Sequence, residues 1–174
     1  MAESQFQRRP VRLGGRGHRR AGDAGRPFHD GCLARWLRDA DGRGGAGNDT
    51  LYGGSAPNLL IGGLGSDTLY AGSAGDILIG GTTSYDSNLS ALGYLMAEWD
   101  GTDVKYITRV GHLNGNLSGG LNGPYLLNAK TVHDDNATDL LYGGPGMDWF
   151  FAHLYGPNTD RVNGQTGGEV VTNI

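Results

Sequence analysis

A nine-residue period across residues 44–81 constrains this chain more than any other feature, because internal repetition dictates architecture before local propensity does. Residues 44–52 read GGAGNDTLY and residues 62–70 read GGLGSDTLY, both in the frame G-G-x-G-x-D-x-U-x with U a large apolar residue. Residues 53–61 and 71–79 are degraded copies. The first keeps Gly53, Gly54 and Leu60 but carries Ala56 and Asn58 in place of the frame's Gly and Asp; the second keeps Gly72, Asp76 and Leu78. The register never slips, so positions 49, 58, 67 and 76 are Asp, Asn, Asp and Asp, and Leu51, Leu60, Leu69 and Leu78 each follow two residues behind.

Clustered glycines admit positive φ at little steric cost, so the G-G-x-G-x-D part of each unit reads as a turn. The last three residues read as a short strand whose central apolar side chain points one way and whose neighbours point the other. A single turn and strand cannot bury its leucine, whereas stacked copies bring all four leucines into one interior, as in a solenoid. Glycine-rich turns lose much chain entropy on ordering, so leucine burial leaves the stack in need of a further holding force. One carboxylate per turn, beside main-chain carbonyls, provides it: this is the flexible, oxygen-rich surrounding that Ca²⁺ prefers.

Residues 44–52 and 62–70, with a further copy GGPGMDWFF at residues 143–151, resemble the haemolysin-type calcium-binding nonapeptide repeat of the RTX family. The resemblance implies an all-β-dominated fold, a short parallel β-roll (an RTX-type solenoid), in which successive turns alternate between two edges. Turns on the same edge then lie two units apart, which pairs Asp49 with Asp67 on one edge and Asn58 with Asp76 on the other. Calcium ions are implied between paired turns, held by the Asp carboxylates and by carbonyls near Gly45, Gly47, Gly63 and Gly65. Asn58 lacks the charge and Ala56 the glycine, so the second edge is expected to be the weaker. Asp148 stands at the same place in the copy at 143–151, but two units earlier along the chain stands Lys130, which leaves its site incomplete. The resemblance further implies the carboxy-terminal region of a larger bacterial secreted or surface protein, acting outside the cell with an extracellular partner.

Composition agrees with a repeat architecture: 33 glycines and 37% hydrophobic residues in 174 leave little material for a globular core. The net charge of −4 conceals two unlike parts. Residues 1–43 hold ten Arg against five acids, net +5, while residues 44–174 hold four basic residues against thirteen acids, net −9. The acidic part attracts cations and argues against nucleic acid. The Arg/Gly-rich head has few aromatics for base stacking and reads as a disordered leader, or as a mis-assigned start, with at most a helical scrap over 28–38. No apolar run is long enough for a secretory signal or a membrane span. Cys32 is the sole cysteine, which excludes an intrachain disulfide and a thiolate metal cluster.

Beyond residue 81 a helical period replaces the nonapeptide. Leu89, Leu92, Leu95, Met96 and Trp99 follow a Ser87 or Asn88 N-cap, and Val104, Ile107, Val110 and Leu113 follow Thr102, with breaks at Asp100-Gly101 and Gly115. Short strands are expected at 125–127 and 131–133, and residues 82–133 form an insertion that packs over the roll and covers its open strands. The repeat resumes over 134–174, beginning with a degraded unit marked by Asp139 and Leu141. Neither H-E-x-x-H nor G-x-S-x-G occurs, and Ser73 lies in register inside a repeat, so the chain is expected to be non-catalytic. Two other readings stay open: the non-catalytic tail of an exported protease or lipase, and an ion-independent structural or adhesive repeat.

Overall fold

A computed structural model describes residues 42–174 together with the short strand β1 (Val11–Arg12). Cys32 and the helical reading of 28–38 lie outside the described residues. Among the described residues strands dominate, with two helices, and all the longer sheets are parallel, an arrangement consistent with a β-roll.

The repeat units deliver their three-residue strands alternately to two sheets. Sheet I contains β1, β3 (Thr50–Tyr52), β5 (Thr68–Tyr70), β9 (Leu140–Tyr142) and β11 (Arg161–Asn163), in that spatial order. Sheet II contains β2 (Arg43–Ala46), β4 (Leu59–Leu64), β6 (Ile77–Ile79), β10 (Trp149–Ala152) and β12 (Val170–Asn173). Neighbouring strands are in register at the repeat's apolar position: Leu51 opposite Leu69 opposite Leu141, and Leu60 opposite Leu78 opposite Phe150. These six side chains, with Ala152, form the interior between the sheets. Each such burial contributes about 1.5–3 kcal/mol.

The outer faces differ because the residues flanking the apolar position differ. In sheet I they are Thr and Tyr in β3 and β5, Leu140 and Tyr142 in β9, and Arg161 and Asn163 in β11, and Tyr52, Tyr70 and Tyr142 stack along the outside with ring centroids 4.9 and 4.8 Å apart. In sheet II they are Leu59, Ile61, Ile77, Ile79, Trp149 and Phe151, all buried. Strands apolar on both faces must be covered on both. The insertion does this. It leaves through β7 (Thr82–Thr83), returns through β8 (Val132–His133), which pairs antiparallel with β7, and carries α1 (Leu89–Trp99) and α2 (Tyr106–Asn114). Leu92, Leu95, Met96, Trp99, Val110, Leu113 and Leu127 pack on the outer face of sheet II. Trp99 Nε1–H donates to the Gly75 carbonyl at 2.9 Å, and the Tyr106 hydroxyl donates to the Asp148 carbonyl at 2.7 Å while accepting the Val170 N–H at 2.8 Å.

Several sequence expectations are corrected here. The insertion covers a sheet face, not the open strands, since the apolar residues in need of cover lie on that face. Asn88 caps α1 by accepting the Ala91 N–H, but α2 begins at Tyr106 behind Lys105 and not at Thr102. The Asp100 and Gly101 amides close back on Met96 and Glu98, and the chain uses the intervening residues to reverse. Residues 125–127 form no strand, because the Tyr125 and Leu127 amides donate to Asn122 and Leu113. Val11 and Arg12, expected within a disordered leader, lie parallel to Leu51 and Tyr52, where β3 offers an open edge.

Candidate metal centre

The sixth position of each unit ends a turn, and alternation between sheets gathers the turns into two rows. The first row, leading from sheet II to sheet I, brings Asp49, Asp67, Asp139 and Asp160 into line. Asp49 N–H donates to Asp67 Oδ1 at 2.7 Å, Asp67 N–H to Asp139 Oδ1 at 2.7 Å, and Asp139 N–H to Asp160 Oδ1 at 2.8 Å. The second row, leading from sheet I to sheet II, aligns Asn58, Asp76, Asp148 and Glu169. Asn58 N–H donates to Asp76 Oδ1 at 2.6 Å, Asp76 N–H to Asp148 Oδ1 at 2.7 Å, and Asp148 N–H to Glu169 Oε1 at 3.1 Å. Each coil is thus tied to the next by a hydrogen bond to a carboxylate, a kind that contributes about 1.5–3 kcal/mol.

The rows part company at the second carboxylate oxygen. In the second row the turn satisfies it: Gly72 N–H donates to Asp76 Oδ2 at 2.6 Å, and Gly144 N–H to Asp148 Oδ2 at 2.9 Å. Asn58 adds its Nδ2–H to Asp76 Oδ1 at 2.8 Å. In the first row Oδ2 of Asp49, Asp67 and Asp139 is buried without any hydrogen-bond donor. These oxygens face the main chain at the glycine that opens each turn. A Cβ on Gly62 would lie 2.5 Å from Asp67 Oδ2 and would meet the Gly80 carbonyl oxygen; a Cβ on Gly44 would lie 2.8 Å from Asp49 Oδ2 and would meet the Gly62 carbonyl. Only at Asp160, the last of the row, is Oδ2 satisfied, by His153 N–H at 2.7 Å.

Burial makes these carboxyls reluctant to ionise. Asp67 is pushed up to about 7 by desolvation, against the Asp49 amide that favours its charged form, with the charges of Asp49 and Asp135 adding to the rise. Asp139 is pushed to about 8 by desolvation, and Asp160, Asp67 and Asp135 add to it. Asp76 is raised to about 7 by desolvation, opposed by Gly72 and Asn58. Burial also raises Asp148 and Asp160.

Donorless carboxylate oxygens beside main-chain carbonyls fit a hard cation that accepts many oxygen ligands, as Ca²⁺ does. Among the described residues no three His, Cys, Asp or Glu side chains converge into a ready-made cage, so a site here draws part of its shell from the backbone. Gly45, Gly47, Gly63 and Gly65 hold φ of +96°, +109°, +110° and +109°. At Gly63 the requirement is doubled: φ lies in the left-handed region and a Cβ would strike the Gly45 carbonyl.

The structure brings Asp49 beside Asp67 and Asn58 beside Asp76. It corrects the partner of Asp148, which is Asp76, seventy-two residues earlier, and not Lys130. The insertion loops out, so the neighbour in space is the last coil before it and not the residue two units back along the chain. Sequence reading placed Asp139 in a degraded unit without making it a ligand, and passed over Asp160 and Glu169. The signal of the last two was present: they stand nine apart, and Val162 and Val171 follow two residues behind each.

Residues 43–78 match the family described as RTX calcium-binding nonapeptide repeat, in four copies, so the chain carries this repeat. No curated protein and no solved structure matches the chain. No helix among the described residues is long and apolar enough to cross a membrane.

Proposed function

We propose that the protein is a structural Ca²⁺-binding module, a parallel β-roll whose ordering is coupled to the ion, and that it has no catalytic role of its own. The observation that carries this reading is the set of buried, donorless Oδ2 atoms of Asp49 and Asp67 next to main-chain carbonyls, inside the matched repeat. Ca²⁺ in this row would be held by Asp49, Asp67 and the carbonyls near Gly45, Gly47, Gly63 and Gly65; when bound it supplies the positive charge that removes carboxylate repulsion. The protein's own part is to hold those oxygens in register through the Asp ladder. Asp76, Asn58 and Asp148 form the second row, which is the weaker, because Asn58 lacks a charge and the turn amides already occupy Asp76 and Asp148. A Kd of about 10⁻⁴–10⁻³ M, usual for extracellular modules, makes the fold respond to leaving the cell, in keeping with a secreted or surface protein.

One observation favours the ion-independent reading for part of the molecule: the second row is closed by its own amides. The test is far-ultraviolet circular dichroism and thermal unfolding of the full chain during a Ca²⁺ titration, with Mg²⁺ as the screening control. A gain of strand signal and melting temperature with Ca²⁺ and not with Mg²⁺ supports the proposal. A spectrum and melting point indifferent to Ca²⁺ assigns the whole stack to the ion-independent class.

A further inference from the structure

We propose that Asn163-Gly164, at the end of β11, is a self-modification site: Asn163 converts spontaneously to aspartate and isoaspartate, and the conversion releases the last coil of the roll. The chemistry involves a side-chain amide, a main-chain nitrogen and water, and needs no cation.

Asn-Gly occurs three times in the chain, at 114–115, 122–123 and 163–164. In this dipeptide the glycine nitrogen, with no Cβ beside it, reaches the side-chain Cγ of the asparagine. The N–Cγ bond forms, the Cγ–Nδ2 bond breaks, and the side-chain nitrogen leaves as ammonia with the proton that the glycine N–H gives up. Water then opens the resulting succinimide ring at either of its two carbonyls. One opening gives aspartate. The other gives isoaspartate, in which the main chain runs through Cγ, one methylene longer, and the former main-chain carbonyl becomes a pendant carboxylate. The reaction needs a glycine N–H not committed to a carbonyl and a side-chain amide free to turn.

The fold withholds these from the first two pairs. Gly115 N–H donates to the His112 carbonyl at 3.3 Å as the helix cap, and Asn114 Oδ1 accepts the Asn116 N–H at 2.9 Å. Asn122 is 4% exposed, and its Nδ2 donates to the Tyr125 carbonyl at 2.7 Å and the His112 carbonyl at 3.3 Å. At the third pair neither group is held. Residues 163–168 are exposed, and neither the Asn163 side-chain amide nor the Gly164 N–H makes a hydrogen bond among the described residues. Gly164 turns the chain at φ +74°, and a Cβ there would stand 2.8 Å from the Gly143 carbonyl oxygen. The turn therefore requires the one residue that leaves its nitrogen open to this reaction.

Two ties between the last coil and its neighbour depend on the backbone at this place. Gly143 N–H donates to the Asn163 carbonyl at 2.8 Å, and Asp148 N–H donates to Glu169 Oε1 at 3.1 Å, the longest rung in either row. Isoaspartate at 163 removes the carbonyl from the main chain and lengthens the path from β11 to Glu169. Both ties are lost, while the coils at Asp49 and Asp67 keep theirs.

The experiment ages the full chain in mildly alkaline buffer, folded and in denaturant, and follows each Asn-Gly by peptide mass mapping, with enzymatic methylation to identify isoaspartate. Amide hydrogen exchange of the aged folded chain is then read residue by residue. The expected result is conversion at all three sites in denaturant and at Asn163 alone in the folded chain, with faster exchange at Gly143 and Asp148 and unchanged exchange at Asp49 and Asp67. Asn163→Gln, whose longer side chain does not close the same ring, should pass through the same treatment with its exchange unaltered. The site is overturned if Asn163 survives ageing of the folded chain, or if Asn114 or Asn122 converts there as fast. The release of the last coil is overturned if the converted chain shows no faster exchange at Gly143 and Asp148, or if Asn163→Gln shows the same increase.

Discussion

The two rows of turns use the same residue at the same place in the repeat and reach opposite solutions. In the second row both oxygens of Asp76 accept protein N–H groups, from Asn58 and from Gly72, and the turn is complete in itself. In the first row Asp67 gives one oxygen to the Asp49 amide and leaves the other buried with no donor. A buried polar atom without a partner is costly, and one repeated from coil to coil is a pattern, not an accident of packing. The difference teaches that a repeat motif defines a position for a carboxylate, while the orientation of a single glycine amide decides whether that carboxylate is a strut or an invitation to a cation.

The largest contrast between rows is expected from glycine substitution. Gly62→Ala in the first row places a methyl against the Gly80 carbonyl and 2.5 Å from Asp67 Oδ2, with backbone on one side that cannot move without shifting a strand. Gly143→Ala in the second row meets nothing closer than 3.0 Å, from the Gly164 carbonyl and the tip of Phe150, and a ring can give way. Gly62→Ala should therefore abolish cooperative unfolding, whereas Gly143→Ala should cost about 1–3 kcal/mol by chemical denaturation, the usual range for overpacking. Equal effects would mean that the first-row glycine has no special burden.

Next in size are the two Asp substitutions, which separate strut from cation ligand. Asp76→Ala leaves the Asn58 amide, the Asn58 side chain and the Gly72 amide without their acceptor, so a loss of about 3 kcal/mol is expected whether or not Ca²⁺ is present. Asp67→Asn keeps an acceptor for the Asp49 amide and should change the ion-free protein little, yet remove most of the gain from calcium. On the calcium proposal that gain would be about 2.7 kcal/mol for the unsubstituted chain at a hundredfold excess over Kd. Denaturant melts of the three proteins with and without millimolar Ca²⁺ check both halves; a calcium gain lost equally in both variants would erase the distinction between rows.

How much of this was legible in the sequence follows from what each part depends on. The nine-residue period places Leu51, Leu60, Leu69 and Leu78 in one interior because strand alternation is local and strict, and Asn88 marks its helix because capping is local too. The covered face of sheet II could have been read from Leu59, Ile61, Ile77, Ile79, Trp149 and Phe151, set against Thr50, Tyr52, Thr68 and Tyr70 at the matching places in the units between the first of them. The partnering of Asp148 could not be reached by counting along the chain, since it depends on the insertion looping out as a body. The last two units escaped because they lack the opening pair of glycines, and only the nine-residue spacing of Asp160 and Glu169 gives them away. Which carboxylates are closed by their own turn depends on where the Gly72 and Gly144 amides point, and no residue identity encodes that.

A smaller effect should appear with pH. Burial raises Asp67 and Asp76 to about 7 and Asp139 to about 8, so the ion-free folded protein retains protons that the unfolded chain has released. Stability then falls as pH rises from about 4, the unfolded carboxyl value, through about 7–8, because over that window the native state binds more protons than the unfolded one. On the calcium proposal the ion would take the place of the protons in the first row, so its gain should grow over the same window. Melting temperatures at pH 5.5 and 8 with chelator and with Ca²⁺ supply the check. A melting point in chelator that rises with pH would contradict the burial of these carboxyls.

The smallest effect is also the sharpest discrimination between reading the motif and reading the structure. By the motif, Asn58→Asp restores the frame at its sixth position and should create a calcium site between the introduced carboxylate and Asp76. By the structure it should not. Asn58 donates its Nδ2–H to Asp76 Oδ1 and to the Ala56 carbonyl, and the other oxygen of Asp76 already accepts the Gly72 amide. A carboxylate in place of the amide loses a donor and adds a second negative charge beside a buried one, while freeing no oxygen on Asp76. A loss of about 1 kcal/mol in chelator is expected, with no additional ion bound in equilibrium dialysis. If the variant instead binds one more Ca²⁺ and recovers its stability, the closed second row is only a resting arrangement that a cation can reopen, and the contrast between rows reduces to the one charge that Asn58 lacks.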